Sequence, residues 1–207
     1  MPKPRVALIT YSVYGHISIM AEAVKKGIEA SGLATATIFQ VQETLPEDLL
    51  KRLHAAPKPA YPIATPATLA EHDGVMFGVP SRFGMVPSQI KAYMDSTGAM
   101  WAKGELSGKP GAIFTSTANQ SGGSESLGMG TMPFFVHHGM VFVPLGGAAP
   151  QLNGVDQVVG GSAWGASTVA TGTGARQPSE DEKAVASIQG KVFAKIVAKL
   201  AAETKVE

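Results

Sequence analysis

The stretch Arg5–Tyr11, R-V-A-L-I-T-Y, does most to limit what this chain can become. Its apolar residues run on instead of alternating with polar ones. A strand with one wet face alternates; a strand covered on both faces does not. Tyr11–Ser18, Y-S-V-Y-G-H-I-S, follows at once, and a helical pattern begins inside it. Ile17, Met20, Ala21, Val24 and Ile28 recur at three- and four-residue steps, which is one helix face. Gly32 stands where that helix should stop. A doubly covered strand, a short turn and an amphipathic helix form half of a crossover unit. Such units assemble into parallel sheets with helices on both faces.

The alternation continues down the chain. Residues 35–41 read as a second strand, 74–79 as a third, 111–116 as a fourth and Met140–Leu145 as a fifth. T-L-P-E, with Thr44 as cap and Glu47 reaching back, reads as a capping box opening a short helix to about Leu53. Pro57, Pro59, Pro62 and Pro66 make 55–66 a stiff connection. A helix over 87–95 opens with proline near its first turn, and 124–138 should be mostly helical, though Gly128, Gly130 and Pro133 oppose it. Residues 146–178 read as a long glycine-rich loop, and loops that long inside a domain are usually functional. The last helix opens at Ser179, with Glu182 as its box partner and Val185, Ile188, Val192 and Ile196 as its stripe. The expectation is a single domain over 1–207. It is an α/β fold with a doubly wound five-stranded parallel sheet in the order 2-1-3-4-5.

Composition removes several function classes. Lys+Arg is 17 against 16 Asp+Glu, a net charge of +1, which lacks the basic excess of a broad nucleic-acid footprint. With no cysteine, disulfides, thiolate catalysis and Cys-ligated metals are excluded. His16, His54 and His72 are dispersed and no H-E-x-x-H occurs, so no metal site is expected. No apolar run reaches the length of a membrane span and no leader-like stretch precedes the first strand. A soluble cytoplasmic protein is expected. Low charge, 16%, beside 24 glycines fits a chain that also buries surface in a dimer or tetramer.

In this architecture ligands bind beyond the carboxyl ends of the strands. After strand one stand Ser12, Tyr14, Gly15, His16 and Ser18. Hydroxyls beside the free amides of a helix start make an anion site. The pattern is neither G-x-G-x-x-G nor G-x-x-x-x-G-K-[ST], which favours a single phosphate monoester. After strand three comes P-S-R-F-G, with Ser81, Arg82 and Phe83; after strand four comes S-T-A-N-Q-S-G-G from Ser116. Phe83 and Trp101 sit beside glycines, off any periodic face, and suit a flat aromatic ligand. Arg82 suits a phosphate or an electron-rich ring edge, or equally a surface ion pair. His137 and His138 end a helix, where a cation is welcome without any function.

Y-S-V-Y-G-H-I, G-V-P-S-R-F-G, D-S-T-G-A-M-W-A, H-H-G-M-V-F-V-P-L-G and G-G-S-A-W-G-A-S-T-V-A-T-G-T-G-A-R-Q-P-S together resemble the WrbA-type NAD(P)H:quinone oxidoreductases, flavodoxin-like FMN proteins. The resemblance runs in order along nearly the whole chain. It implies FMN, with NADH or NADPH as co-substrate and a quinone as acceptor. It implies that Ser12–Ile17 hold the FMN phosphate and that Tyr14 also meets the nicotinamide nucleotide. Ser81, Arg82 and Phe83 would touch the flavin ring, as would Ser116, Thr117, Ala118, Asn119, Gln120, Ser121 and Gly122. His137 would face the flavin, Trp101 would border the quinone, and the chain would form a tetramer. The third loop departs from the family's usual S-T-G-T-x-G-G: Ala118 and Asn119 replace Gly and Thr. A flavodoxin-type electron carrier and a non-enzymatic interaction protein of the same fold stay open beside the reductase.

Overall fold

The computed structural model describes residues 2–203. Strands β1 (Arg5–Thr10), β2 (Thr35–Gln40), β3 (Gly74–Pro80) and β4 (Pro110–Thr117) lie parallel in the order β2-β1-β3-β4. Every residue of β3 and β4 is buried, as unbroken apolar runs require. Helix α1 (His16–Ala30) follows β1, and its buried face carries the five residues of the periodic pattern. Gly32, at φ 72, ends it.

The fifth position of the sheet is divided. β5 is only Val141–Phe142 and pairs the start of β4 at Pro110 and Gly111. Val141 donates to the Lys109 carbonyl (3.0 Å) and Val143 to that of Gly111 (2.8 Å); the next carbonyl in that row, of Ile113, accepts from Gln189 Nε2 instead (2.7 Å), and the pairing stops. The chain leaves, makes a 3-10 turn at Pro150–Asn153 and the two-residue β6 (Gly161–Ser162), and returns as β7 (Gly165–Val169). β7 runs parallel to the far end of β4, at Thr115–Thr117. The expected loop over 146–178 therefore contains a fully buried strand, G-A-S-T-V. Its small and polar residues hid it. The order 2-1-3-4-5 holds with β5 and β7 sharing the last place.

Two further helices went unread: α3 (Pro66–Ala70), boxed by Thr65 and Thr68, and α5 (Gly98–Lys103). The box expected at Thr44 and Glu47 does not form. Helix α2 (Glu47–Arg52) has Pro46 at its cap with no side-chain cap bond. Glu43 Oε1 accepts the Thr44 and Leu45 amides instead (2.9 and 3.0 Å), and Thr44 Oγ1 accepts from Gln89 Nε2 (2.8 Å).

α1 and α7 (Glu180–Glu203) cover one sheet face; α3, α4 (Ser88–Asp95), α5 and α6 (Ser124–His137) lie on the other. α1 and α7 cross backbone on backbone. A Cβ on Gly27 would stand 1.9 Å from the Ser187 carbonyl oxygen, and one on Gly190 would stand 2.2 Å from that of Val24. Gly190 must face α1, and that sets the rotation of α7. The core face is therefore Val185, Ala186, Gln189, Gly190, Phe193, Ala194 and Val197. Ile188, Val192 and Ile196, expected on the stripe, are only partly buried at its flank.

The box that opens α7 forms as expected. Ser179 Oγ accepts from the Glu182 amide (3.1 Å), and Glu182 Oε2 accepts from the Ser179 amide (2.8 Å). Glu182 is 0% exposed and does more than close its own helix. Its carboxylate also accepts from the Gly160 and Val169 amides, the Thr168 hydroxyl and the Arg176 guanidinium. Burial pushes this carboxyl up; those donors, with Arg176, outweigh burial and hold it below the usual carboxylate range.

A carboxyl lowered on folding contributes stability above its unfolded value of about 4.3, and that stability fades as pH falls through the folded value. Glu182→Gln should therefore cost roughly 3 kcal/mol at pH 7, where it leaves Arg176 without its countercharge. In urea unfolding the gap between variant and wild type should close as the pH is lowered below about 4. A gap that stays constant from pH 7 into acid would show that the ionised carboxylate is not what matters.

Candidate functional site

A cleft of about 460 Å³ opens at the carboxyl ends of β1, β3 and β4, where the sheet changes direction of winding. Its first wall is the β1–α1 turn: Ser12, Val13, Tyr14, His16 and Ile17 line it. Gly15 caps α1 in the left-handed region (φ 88), no side chain caps the helix, and the first turn holds no acidic residue. The first-turn amides therefore keep the positive end of the helix dipole available to an anion. Ser12 Oγ accepts the Gly15 amide (3.0 Å) and the Val13 carbonyl accepts the Ala56 amide (2.8 Å), fixing the turn from both sides.

The second wall carries Pro80, Ser81 and Arg82. Arg82 and Met85 exchange backbone bonds (2.9 and 3.0 Å) across Phe83 and Gly84, both at positive φ. That is a tight two-residue hairpin of the primed type. It holds Phe83, a bulky non-glycine residue, at φ 55, with the ring 99% exposed. Strain and exposed apolar surface at one residue mark a position kept for contact with something else.

The third wall carries Ser116, Thr117 and Ala118. Asn119–Gly122 turn back behind it: the Asn119 carbonyl accepts from Thr117 Oγ1 (2.7 Å) and the Gly122 amide (3.1 Å), and the Gly122 carbonyl accepts from Ser81 Oγ (2.7 Å). Asn119, Gln120, Ser121 and Gly122 thus shape the loop without lining the cleft. Walls two and three touch where a Cβ on Gly123, itself at φ 82, would stand 2.7 Å from the Gly84 Cα.

Sequence reasoning took the 146–178 loop as functional but named none of the residues of the fourth wall, Ala170–Gly174, and it missed the rim at Leu53 and His54. T-G-T-G repeats the hydroxyl–glycine chemistry of the first turn, and that signal was readable. It lacked only the strand before it, which the small residues of β7 concealed. His16 and His54, far apart in sequence, meet at this cleft. His16, 3% exposed, donates from Nε2 to the Arg176 carbonyl (2.8 Å). With Arg82 the lining holds three cationic or protonatable side chains and, among the described residues, no carboxylate. The arrangement suits a phosphate monoester at the α1 end, with a flat group reaching toward Arg82 and Phe83. No group of His, Asp and Glu suited to a metal occurs among the described residues.

Phe83 lies on a neighbouring apolar groove that shares Val13, Tyr14, Leu53 and Arg82 with the cleft. His137 and Trp101 are elsewhere. They line a third hollow of about 660 Å³ between α4, α5 and α6, with Met94, Phe134 and His138. There Thr97 Oγ1 donates to the Met94 carbonyl (2.7 Å), so it accepts from His138 Nε2 (2.9 Å), and His138 Nδ1 is left without a partner. Burial first, then the neighbouring His137, hold His138 below the ordinary histidine value.

Residues 4–151 match the family model described as NADPH-dependent FMN reductase. "NAD(P)H quinone oxidoreductase PST3" of Candida albicans is 50% identical over 198 residues, covering 95% of this chain and 99% of that one. "Protoplast secreted protein 2" of Saccharomyces cerevisiae is 51% identical over 198 residues, with the same coverage. Among solved structures, a WrbA-like flavodoxin from Agrobacterium tumefaciens superposes with a TM-score of 0.65 at 22% identity, covering 95% of this chain and 99% of that one.

Gly123→Ala should force walls two and three apart while leaving the core intact. FMN affinity, read by quenching of flavin fluorescence, should fall about tenfold or more, since overpacking against backbone typically costs 1–3 kcal/mol. Unchanged affinity would mean that the contact of the two loops does not shape the site.

Proposed function

This chain belongs to the NADPH-dependent FMN reductase family, and on that premise we propose that it is an FMN-dependent NAD(P)H:quinone oxidoreductase. The observation that carries the proposal is the cleft: an uncapped helix N-terminus and a carboxylate-free lining, placed at three adjacent strand ends. FMN held there would supply two-electron chemistry between NADH or NADPH and a quinone that bind in turn, the hydride's two electrons and one proton being joined by a second proton from solvent to make the hydroquinone. The protein binds, orients and shields. The α1 amides with Ser12 would hold the phosphate. Arg82 would supply positive charge beside the electron-rich ring, and Phe83 an apolar face. Tyr14, half-exposed where cleft and groove join, stands where a nicotinamide nucleotide could enter and leave.

Self-association is part of the proposal. α6 is apolar on nearly every side, which suits a buried helix, yet Met129 and Val136 are exposed. His137 and Trp101 line a hollow apart from the cleft of their own chain. Both would meet a flavin and its quinone only if a second copy brings its own hollow to the cleft. A dimer or tetramer packed through α5 and α6 would do so. No helix among the described residues is long and apolar enough to cross a membrane; a cytoplasmic location goes with this reading. An electron carrier is the weaker alternative, because a net charge of +1 offers no field to steer a charged redox partner.

Steady-state turnover with FMN, either nicotinamide and benzoquinone should give parallel double-reciprocal lines. Intersecting lines would refute alternate use of one pocket. Trp101→Ala should lower quinone turnover about tenfold while FMN affinity stays within about twofold, the loss expected of one aromatic contact. An equal fall in both would make Trp101 a structural residue.

A further inference from the structure

The fourth wall lies beyond the residues that the family model matches. It is a loop closed at its base, where the Arg176 amide donates to the Ala170 carbonyl (3.2 Å). Thr171 stands at φ 66, a left-handed conformation that a β-branched residue adopts only when its surroundings impose it. Thr171 and Thr173 line the cleft while exposed to solvent, and their hydroxyls lie 3.3 Å apart. What imposes the shape is Arg176. Its Nη1 donates to the Val169 carbonyl (2.6 Å) and to both oxygens of Glu182 (3.0 and 2.9 Å), and its Nη2 to the Val158 carbonyl (2.9 Å). Its own carbonyl accepts from His16, the first residue of α1. One side chain thus fixes the base of the loop to the buried carboxylate, and one bond from the His16 ring to a backbone carbonyl sets the loop against the helix end that faces the cleft.

We propose that Thr171–Gly174 is a further phosphate-holding segment, with the Thr171 and Thr173 hydroxyls donating to the FMN phosphate, and that Arg176 is the positioning residue that holds it there. The proposal rests on the FMN reading above. Arg176 does not itself reach the ligand; its guanidinium is committed to Glu182 and two carbonyls. A lysine would keep the charge but lose the fork that fixes three acceptors at once. Thr173 is the direct test of the hydroxyls, because its side chain is exposed and holds no part of the core.

Apo wild type, Arg176→Lys and Thr173→Ala are titrated with FMN and with riboflavin, read by flavin fluorescence, alongside thermal unfolding without ligand. Both variants should bind FMN about tenfold more weakly, the loss expected of hydrogen bonds to a charged group, and keep riboflavin affinity within about twofold. Thr173→Ala should unfold at the wild-type temperature. FMN and riboflavin weakened alike, or FMN affinity unchanged in Thr173→Ala, would overturn the proposal. If Arg176→Lys does not fold, Thr173→Ala decides by the same two outcomes. A wild-type chain that binds riboflavin as tightly as FMN would instead sink the phosphate assignment of the whole cleft, and that result precedes any variant.

Discussion

A single carboxylate without access to water organises the half of the molecule that the first four strands do not. Glu182 accepts from three backbone amides, one hydroxyl and one guanidinium, drawn from the segment at 160, from β7, from the 170–176 loop and from the start of α7. A buried charge is tolerable only when so completely satisfied. The requirement works in both directions: the carboxylate is stable because these segments converge, and they converge because each supplies a donor that the carboxylate needs. β7 and α7 have apolar contacts of their own, but the glycine- and threonine-rich chain between them has few. There polar satisfaction replaces hydrophobic burial as the source of a defined shape.

The cleft inherits its chemistry from the opposite condition. Its key groups are left open to a ligand: a helix start with no side-chain cap, a lining without a carboxylate, and an aromatic ring held out on a strained hairpin. Such groups are held in place by bonds one residue behind them. Ser81 ties wall two to wall three through the Gly122 carbonyl, and Ala56 ties the first turn to the segment after α2. The cleft is braced by hydrogen bonds behind its lining and open toward solvent in front, which is the condition for binding without reorganisation.

Much of this was legible in the residues. Unbroken apolar runs gave away β1, β3 and β4, and helical spacing gave away α1, because burial on both faces and on one stripe leaves distinct periods. The three loops then had to lie at adjacent strand ends. The box of Ser179 and Glu182 was legible as a helix start, though nothing local showed that Glu182 also bonds four other groups. The misread features share a cause: a distant partner outbid a local one. Glu43 claims the amides around Thr44 and Gln89 claims its hydroxyl, so the Thr44 box fails. Gly190 must meet α1, so the stripe of α7 turns away from Ile188, Val192 and Ile196. β7 has no periodic apolar signature, because Gly165 must pass close to the Ile113 carbonyl and Thr168 must reach Glu182.

By itself the sequence determined the fold class, the positions of the first four strands and the glycine-and-hydroxyl turn that opens α1. Local periodicity and the chemistry of a helix start are enough for these. Only the tertiary structure decided that β5 and β7 share one place, that T-G-T-G lines the cleft, and that Trp101 and His137 line a hollow apart from the cleft of their own chain. Those facts depend on which residues meet across long stretches of chain, and that is set by backbone clearance and by the demand of one buried charge for donors, neither of which leaves a period in the sequence.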